Sequence, residues 1–176
     1  KVLISAQLQI GFTSAVDGRV DKIVDNLAVI KPNFMAGAPR IFEKVYARVV
    51  SMQAAEGGAK EKIFNWAIGV GKSVNENKAA GKSVSPILGA QHAIADKLVF
   101  SKLRAVFGGR VRYFVTGAAP IPRKIIEFFW AAGFPIFEVY GMTEATVVTH
   151  ANRPGAIRLG SVGKPLSFVE DKLAED

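Results

Sequence analysis

Between Val111 and Tyr140 the chain has few options other than a strand, a helix and a second strand. Val111, Tyr113 and Val115 alternate with Arg112 and Phe114, the period of a strand. Gly117-Ala118-Ala119-Pro120 then turns the chain, and Pro122 to Ala132 places Ile125, Ile126 and Phe129 on one helical face, with Gly133 as the cap. Ile136 to Tyr140 supplies the next strand, completing the buried run that starts near Phe134. A connection holding a helix of this length makes the two strands parallel neighbours. Gly117 and Gly141 therefore both lie just past the carboxyl ends of parallel strands, the edge at which open α/β sheets bind ligands. The predicted fold class is α/β, built on parallel βαβ units.

The other segments fit around that unit. Leu3 to Phe12 alternates as a strand, and Val20, Ile23, Val24, Leu27 and Ile30 mark an amphipathic helix ended by Pro32. Asn33 to Gly37 is a short apolar run. Pro39 opens a second helix at a position where its missing N–H costs nothing, with Ile41, Val45, Arg48 and Val49 continuing it to about Met52 and Gly57-Gly58 stopping it. A helical excursion covers about residues 59–107 in two pieces separated by the polar loop Lys78 to Pro86. Ile63, Trp66, Ala67, Val70 and Val74 mark one face, and Ala95, Leu98, Val99, Lys102, Leu103 and Val106 the other, closed by Gly108-Gly109. Phe64 and Trp66 are predicted to be core residues.

Several chemistries are excluded or left without support. Cysteine is absent, which removes disulfides, thiolate catalysis and cysteine metal sites. Gly71-Lys72-Ser73 and Gly81-Lys82-Ser83 imitate the end of a phosphate-binding P-loop, but Trp66 and Glu76 stand where the motif needs its first glycine, so both read as helix and loop surface. His92, within a helix, and His150, in a polar loop, have no companions at metal-ligand spacing. The net charge of +8 could favour nucleic acid, an anionic membrane surface or a polyanionic substrate, yet Lys and Arg are interleaved with acids without a basic run, the pattern of a solvated surface. No apolar segment reaches the length of a membrane span, and a chain opening on Lys1 suggests an excised piece.

Glu138-Val139-Tyr140-Gly141-Met142-Thr143-Glu144 gathers an aromatic ring, a glycine, a hydroxyl and a carboxylate. The ring can stack on a base, the glycine admits close backbone approach, the hydroxyl can bond a phosphate oxygen, and the carboxylate can hold the magnesium that accompanies phosphates. The same residues also suit a strand end, a glycine turn and a helix cap. The small-residue loop at Gly117 to Pro120, brought to the same edge, favours the binding reading.

In combination and in order, these stretches resemble the adenylate-forming acyl-CoA synthetases, and within them the long-chain fatty-acid-CoA ligases. Tyr140-Gly141-Met142-Thr143-Glu144 resembles the signature Y-G-x-T-E, and Thr116 to Pro120 the adenine-side loop. Lys31 to Tyr46 (KPNFMAGAPRIFEKVY) is similar to a segment of the long-chain branch, and Gly160 to Leu166 to G-S-V-G-x-P. The resemblance implies that residues 1–166 are part of the large adenylation (AMP-binding) domain, with an unaligned tail at 167–176. It further implies a two-step ligation of fatty acid, ATP and coenzyme A, by way of acyl-AMP, with magnesium. Gly117, Ala118, Ala119, Glu138, Val139, Tyr140 and Gly141 would enclose the adenine, Thr143 would contact phosphate, and Glu144 would ligate the metal, making Thr143 and Glu144 the catalytic pair. Arg40 and Glu43 would be structural supports. The family's upstream phosphate loop, ribose-binding aspartate, hinge and small C-terminal domain have no counterpart in the sequence, so the isolated chain is expected to be inactive. A cytoplasmic setting, open to peripheral membrane association, completes the expectation. Two alternatives remain: a fatty-acyl-AMP ligase that loads a carrier protein, and a non-catalytic basic module for anionic lipid or nucleic acid.

Overall fold

The computed structural model describes residue 27, residues 29–153 and residues 156–172. The strand expected over Leu3 to Phe12 and most of the helix expected over Val20 to Ile30 lie outside them; Leu27, Val29 and Ile30 are helical.

One mixed sheet organises the described residues. Its strands are β1 (Phe34–Gly37), β2 (Tyr113–Thr116), β3 (Ile136–Tyr140), β4 (His150–Ala151) and β5 (Lys164–Pro165), in that spatial order. β1, β2 and β3 run parallel, with Phe34 opposite Tyr113 and Thr116 opposite both Gly37 and Glu138. β4 and β5 extend the sheet antiparallel, pairing Tyr140 with His150 and His150 with Pro165. The βαβ unit is as expected, and the run at Asn33 to Gly37 proves to contain a third parallel strand.

Helix α1 (Pro39–Glu56) starts directly after β1 with Pro39 in its first turn and stops at Gly57, whose φ of 55° suits glycine. The excursion follows as α2 (Gly58–Ala79), α3 (Pro86–Ala95), a π-helical segment (Asp96–Phe100) and α4 (Ser101–Val106). Ser85 caps α3, its hydroxyl accepting the Leu88 N–H at 3.3 Å. The wide π turn is spanned by an ion pair between Asp96 and Arg104 at 2.7 Å. Helix α5 (Arg123–Ala131) joins β2 to β3.

The core is aromatic. Phe114 of β2 is fully buried, with its ring centroid 5.3 Å from Phe42, 5.4 Å from Phe107, 5.8 Å from Phe129 and 5.9 Å from Phe134. Such pairs add roughly 0.5–1.5 kcal/mol each beyond the area they bury. Phe64 joins this core, but Trp66 is 38% exposed: the inward face of α2 is Phe64, Ala67, Val70, Gly71 and Val74, and Trp66 and Ile63 fall beside it. Gly71 also departs from the surface reading of its Gly-Lys-Ser triplet. It sits where α2 crosses α5, and a Cβ there would overlap the Ala131 carbonyl.

Candidate functional site

The parallel strands deliver two loops to one edge. After β2 the chain turns through Gly117 and Ala118; after β3 it turns through Gly141. Gly117 packs so closely on the end of β3 that a Cβ there would lie 2.9 Å from Val139 Cγ2 and 3.0 Å from the Val139 carbonyl oxygen. Gly141 is more tightly constrained, because a Cβ would occupy the space of the Val147 carbonyl. Both glycines are required by close approach of backbone to backbone, not by their own dihedrals.

Strain gathers at this edge. Ala118, Thr146 and Val147 hold φ of 69°, 58° and 79°, the left-handed region that L residues, and β-branched ones above all, disfavour. Each costs on the order of 1–3 kcal/mol. At 142–147 the cost is offset by a compact hydrogen-bonded turn: the Met142 carbonyl accepts the N–H groups of Ala145 at 3.2 Å and Val147 at 3.0 Å, and the Thr143 carbonyl accepts Thr146 N–H at 3.2 Å. This turn, a short 3₁₀ segment at Thr143–Ala145, leaves Thr143 and Glu144 exposed. Glu144 has no hydrogen-bond or ion-pair partner among the described residues, so its carboxylate is open to a ligand. No cluster of three His, Cys, Asp or Glu suited to a metal ion occurs among the described residues. A cation here would therefore take one carboxylate from Glu144 and its other oxygens from phosphate and water, a donor set that fits magnesium.

Tyr140 projects its ring into solvent while its backbone is fixed. Its carbonyl accepts the Thr149 N–H at 2.9 Å and the Thr149 hydroxyl at 3.3 Å. His150 is not a free loop histidine as the sequence suggested. It lies in β4 with its ring 6.0 Å from that of Tyr140, Nδ1 3.0 Å from Thr149 Oγ1 and Nε2 3.5 Å from Asp171.

A third stretch closes on the second loop. Glu138 Oε2 accepts the Gly160 N–H at 3.1 Å. Burial pushes the Glu138 carboxyl above its usual range, and the Gly160 bond partly counters this. Buried Asn152 donates its N–H to the Glu138 carbonyl at 3.0 Å. Its side chain accepts the Arg158 N–H at 2.9 Å and donates to the carbonyls of Ser161 and Arg158. Gly163 in turn backs so closely on Ala151 that no Cβ would fit. The structure thus brings together the sequence stretches at 116–120, 138–144 and 160–166, and places Arg40 exposed in the first turn of α1, just after β1. Thr149 and Asn152 escaped sequence reasoning, and His150 was read only as a loop residue, because no motif spacing marks them; the antiparallel pairing of β4 with β3 brings them to the site.

The sequence model that describes AMP-binding enzymes matches residues 4–176. The chain belongs to the AMP-binding enzyme family. Among relatives of this AMP-binding segment, a putative fatty-acid–CoA ligase, fadD11, of Mycobacterium tuberculosis is 40% identical over 167 residues, covering 93% of this chain and 29% of the relative. The peroxisomal long chain acyl-CoA synthetase 6 of Arabidopsis thaliana is 36% identical over 155 residues, covering 88% of this chain and 21% of the relative. The chain therefore spans less than a third of the length of these relatives. A crystal structure of the anthranilate CoA ligase AuaEII in complex with anthranoyl-AMP shares the fold, with a TM-score of 0.53 at 17% identity, over 94% of this chain and 22% of that one.

Proposed function

We propose that this segment forms one wall of the ATP site in a long-chain fatty-acid-CoA ligase, as part of a large adenylation domain covering residues 1–166. The observation that carries the reading is that the Gly117 loop and the Tyr140-Gly141 loop leave the carboxyl ends of adjacent parallel strands, with Gly117 packed on Val139. The names of the relatives supply the acyl and coenzyme A specificity of the proposal.

In this reading Gly117, Ala118 and Ala119 offer bare backbone to one face of the adenine, and Tyr140 covers the other, with Glu138, Val139 and Gly141 completing the enclosure. Thr143 donates a hydrogen bond to the α-phosphate, and Glu144 holds the magnesium. When bound, that ion neutralises charge building on the phosphates. A fatty carboxylate oxygen attacks the α-phosphorus and pyrophosphate leaves, giving acyl-AMP. The sulfur of coenzyme A then attacks the acyl carbonyl, loses its proton, and AMP leaves. The residues contribute position and fixed charge without forming a covalent intermediate. The proposed setting is cytoplasmic.

The test is pyrophosphate exchange by a full-length enzyme carrying this segment. Glu144→Ala is expected to lower exchange on the order of 100-fold while changing stability by less than about 0.5 kcal/mol, since the side chain is exposed. Unchanged exchange would remove Glu144 from the site. Thioester formation that depends on coenzyme A, and not on a carrier protein, fixes the acceptor.

A further inference from the structure

The Tyr140 ring has less to hold it than its main chain does. The backbone is fixed by the β3–β4 pairing and by two donors from Thr149 on its carbonyl. The residue as a whole is 45% exposed. Among the described residues its hydroxyl has no hydrogen-bond partner and its ring has one ring neighbour, His150. A tyrosine so placed has several staggered rotamers open to it. A ring that must cover a base from one side gives up that freedom on binding, at a cost in affinity, unless something holds it beforehand. His150 is the side chain in position to do so.

The sheet puts it there. His150 stands opposite Tyr140 across the β3–β4 pair, and residues opposite each other in an antiparallel pair project to the same face. Pro165 of β5 pairs with His150 on its other side, so its backbone is held between two strands. The two ring centroids are 6.0 Å apart at an interplanar angle of 63°, an edge contact. The imidazole is in turn engaged at both nitrogens. The Thr149 hydroxyl donates its one proton to the Tyr140 carbonyl, so its oxygen is the acceptor for Nδ1–H at 3.0 Å. Nε2 faces Asp171 Oδ2 at 3.5 Å. Only 19% of the His150 side chain is exposed.

We propose that His150 is a positioning residue for the nucleotide: anchored by Thr149 and Asp171, its imidazole edge fixes the Tyr140 ring in the orientation that stacks on the base. The inference rests on the ligase reading, in which Tyr140 covers the adenine, and deepens it by naming the side chain that presents Tyr140. A histidine that worked on the phosphates would keep a nitrogen free for them. Both nitrogens of His150 face protein oxygens instead, so the imidazole acts through Tyr140 and not on the reacting atoms.

A double-mutant cycle in a full-length enzyme carrying this segment tests it, read as KM for ATP and kcat in pyrophosphate exchange. Tyr140→Ala is expected to raise KM for ATP about tenfold. His150→Ala should raise it about three- to tenfold with kcat within about twofold, the pattern of binding lost equally from ground and transition states. In a Tyr140→Ala background, His150→Ala should change KM by less than about twofold, because the ring it presents is gone. His150→Phe, which restores a ring at this place, should recover part of the loss. Asp171→Ala, at an exposed side chain that folding does not depend on, should raise KM about threefold, the lower end of the same range. Thermal melts check that each variant folds. The inference is overturned if His150→Ala and Asp171→Ala leave KM for ATP unchanged, if the Tyr140 and His150 effects simply multiply, if kcat falls while KM holds, or if Tyr140→Ala leaves KM unchanged while Glu144→Ala still cripples exchange. Failure of the ligase reading is a different result: Tyr140→Ala and Glu144→Ala would then both exchange like wild type.

Discussion

The Phe114 cluster and the loops past Gly117 and Gly141 are separated by a few residues of the same strands, yet they are made in opposite ways. Around Phe114, side chains do the work: rings from α1, α4's end, α5 and the sheet interlock, and the backbone is ordinary strand and helix. At the sheet edge the side chains are small or point outward, and the backbone is exceptional. Two glycines pass within contact of other main chains, and Ala118, Thr146 and Val147 sit at positive φ. The core holds its shape by filling space, and the site holds its shape by leaving space empty at a defined place. Stability and binding should therefore respond to different substitutions.

Phe114→Ala should produce the largest loss of stability, about 3–5 kcal/mol by denaturant unfolding, because it opens a cavity under the whole sheet. A loss below ~1 kcal/mol would mean that the aromatic cluster is not the keystone. Gly141→Ala should cost less in stability, about 1–3 kcal/mol. In a full-length enzyme, however, it should lower pyrophosphate exchange ~100-fold, since the Thr143–Glu144 turn must move away from the added methyl. If exchange and stability fell in proportion, the contrast between the two regions would collapse. Thr116→Val probes their boundary. The Thr116 hydroxyl is buried without a hydrogen-bond partner among the described residues, so an isosteric methyl should stabilise the chain by about 1 kcal/mol.

The smallest effect is expected at Glu138, as a dependence on pH. Its folded-state carboxyl titrates above its usual range, so the native state holds the proton more tightly than the unfolded chain. Its contribution to stability is greatest below the unfolded value, declines as pH rises through the folded value and is flat above it. Glu138→Gln keeps an acceptor for the Gly160 N–H and does not titrate. The stability of wild type relative to this variant should therefore fall as pH rises above the ordinary glutamate range, from about pH 4 upward, and level off once the folded-state carboxyl has ionised, in thermal melts. A constant difference would remove burial as the cause.

Legibility in the sequence followed the range of the forces involved. The βαβ unit and the helices could be read because their periodicities are local, as at Ile125, Ile126 and Phe129, and because Pro39, Gly57 and Gly133 mark their ends. β1 was hidden: four residues are too few for a period, and Phe34–Gly37 is a strand only because β2 lies beside it. Trp66 was misjudged since a wide apolar stripe does not say which edge is lifted clear of α5. The π turn left no composition signal and shows only in the four-residue spacing of the buried Ala95, Val99, Leu103 and Phe107. For the site, Tyr140, Gly141 and Gly117 were legible as chemistry. The supports supplied by Thr149, His150 and Asn152 were not, because they reach the site through strand pairing and not through proximity in sequence.

Asn152 has a consequence for how the edge opens. One buried amide fastens the turn at 158–161, and Glu138 adds a second bond through Gly160. Leu159 packs the same turn against the core, so these polar ties can open locally while the aromatic core stays folded. The main-chain amides of Arg158 and Gly160 should then exchange with solvent through this small opening, well before those of β2. Their exchange rates would gauge how firmly the third stretch closes on Glu138, separately from whether the domain is folded.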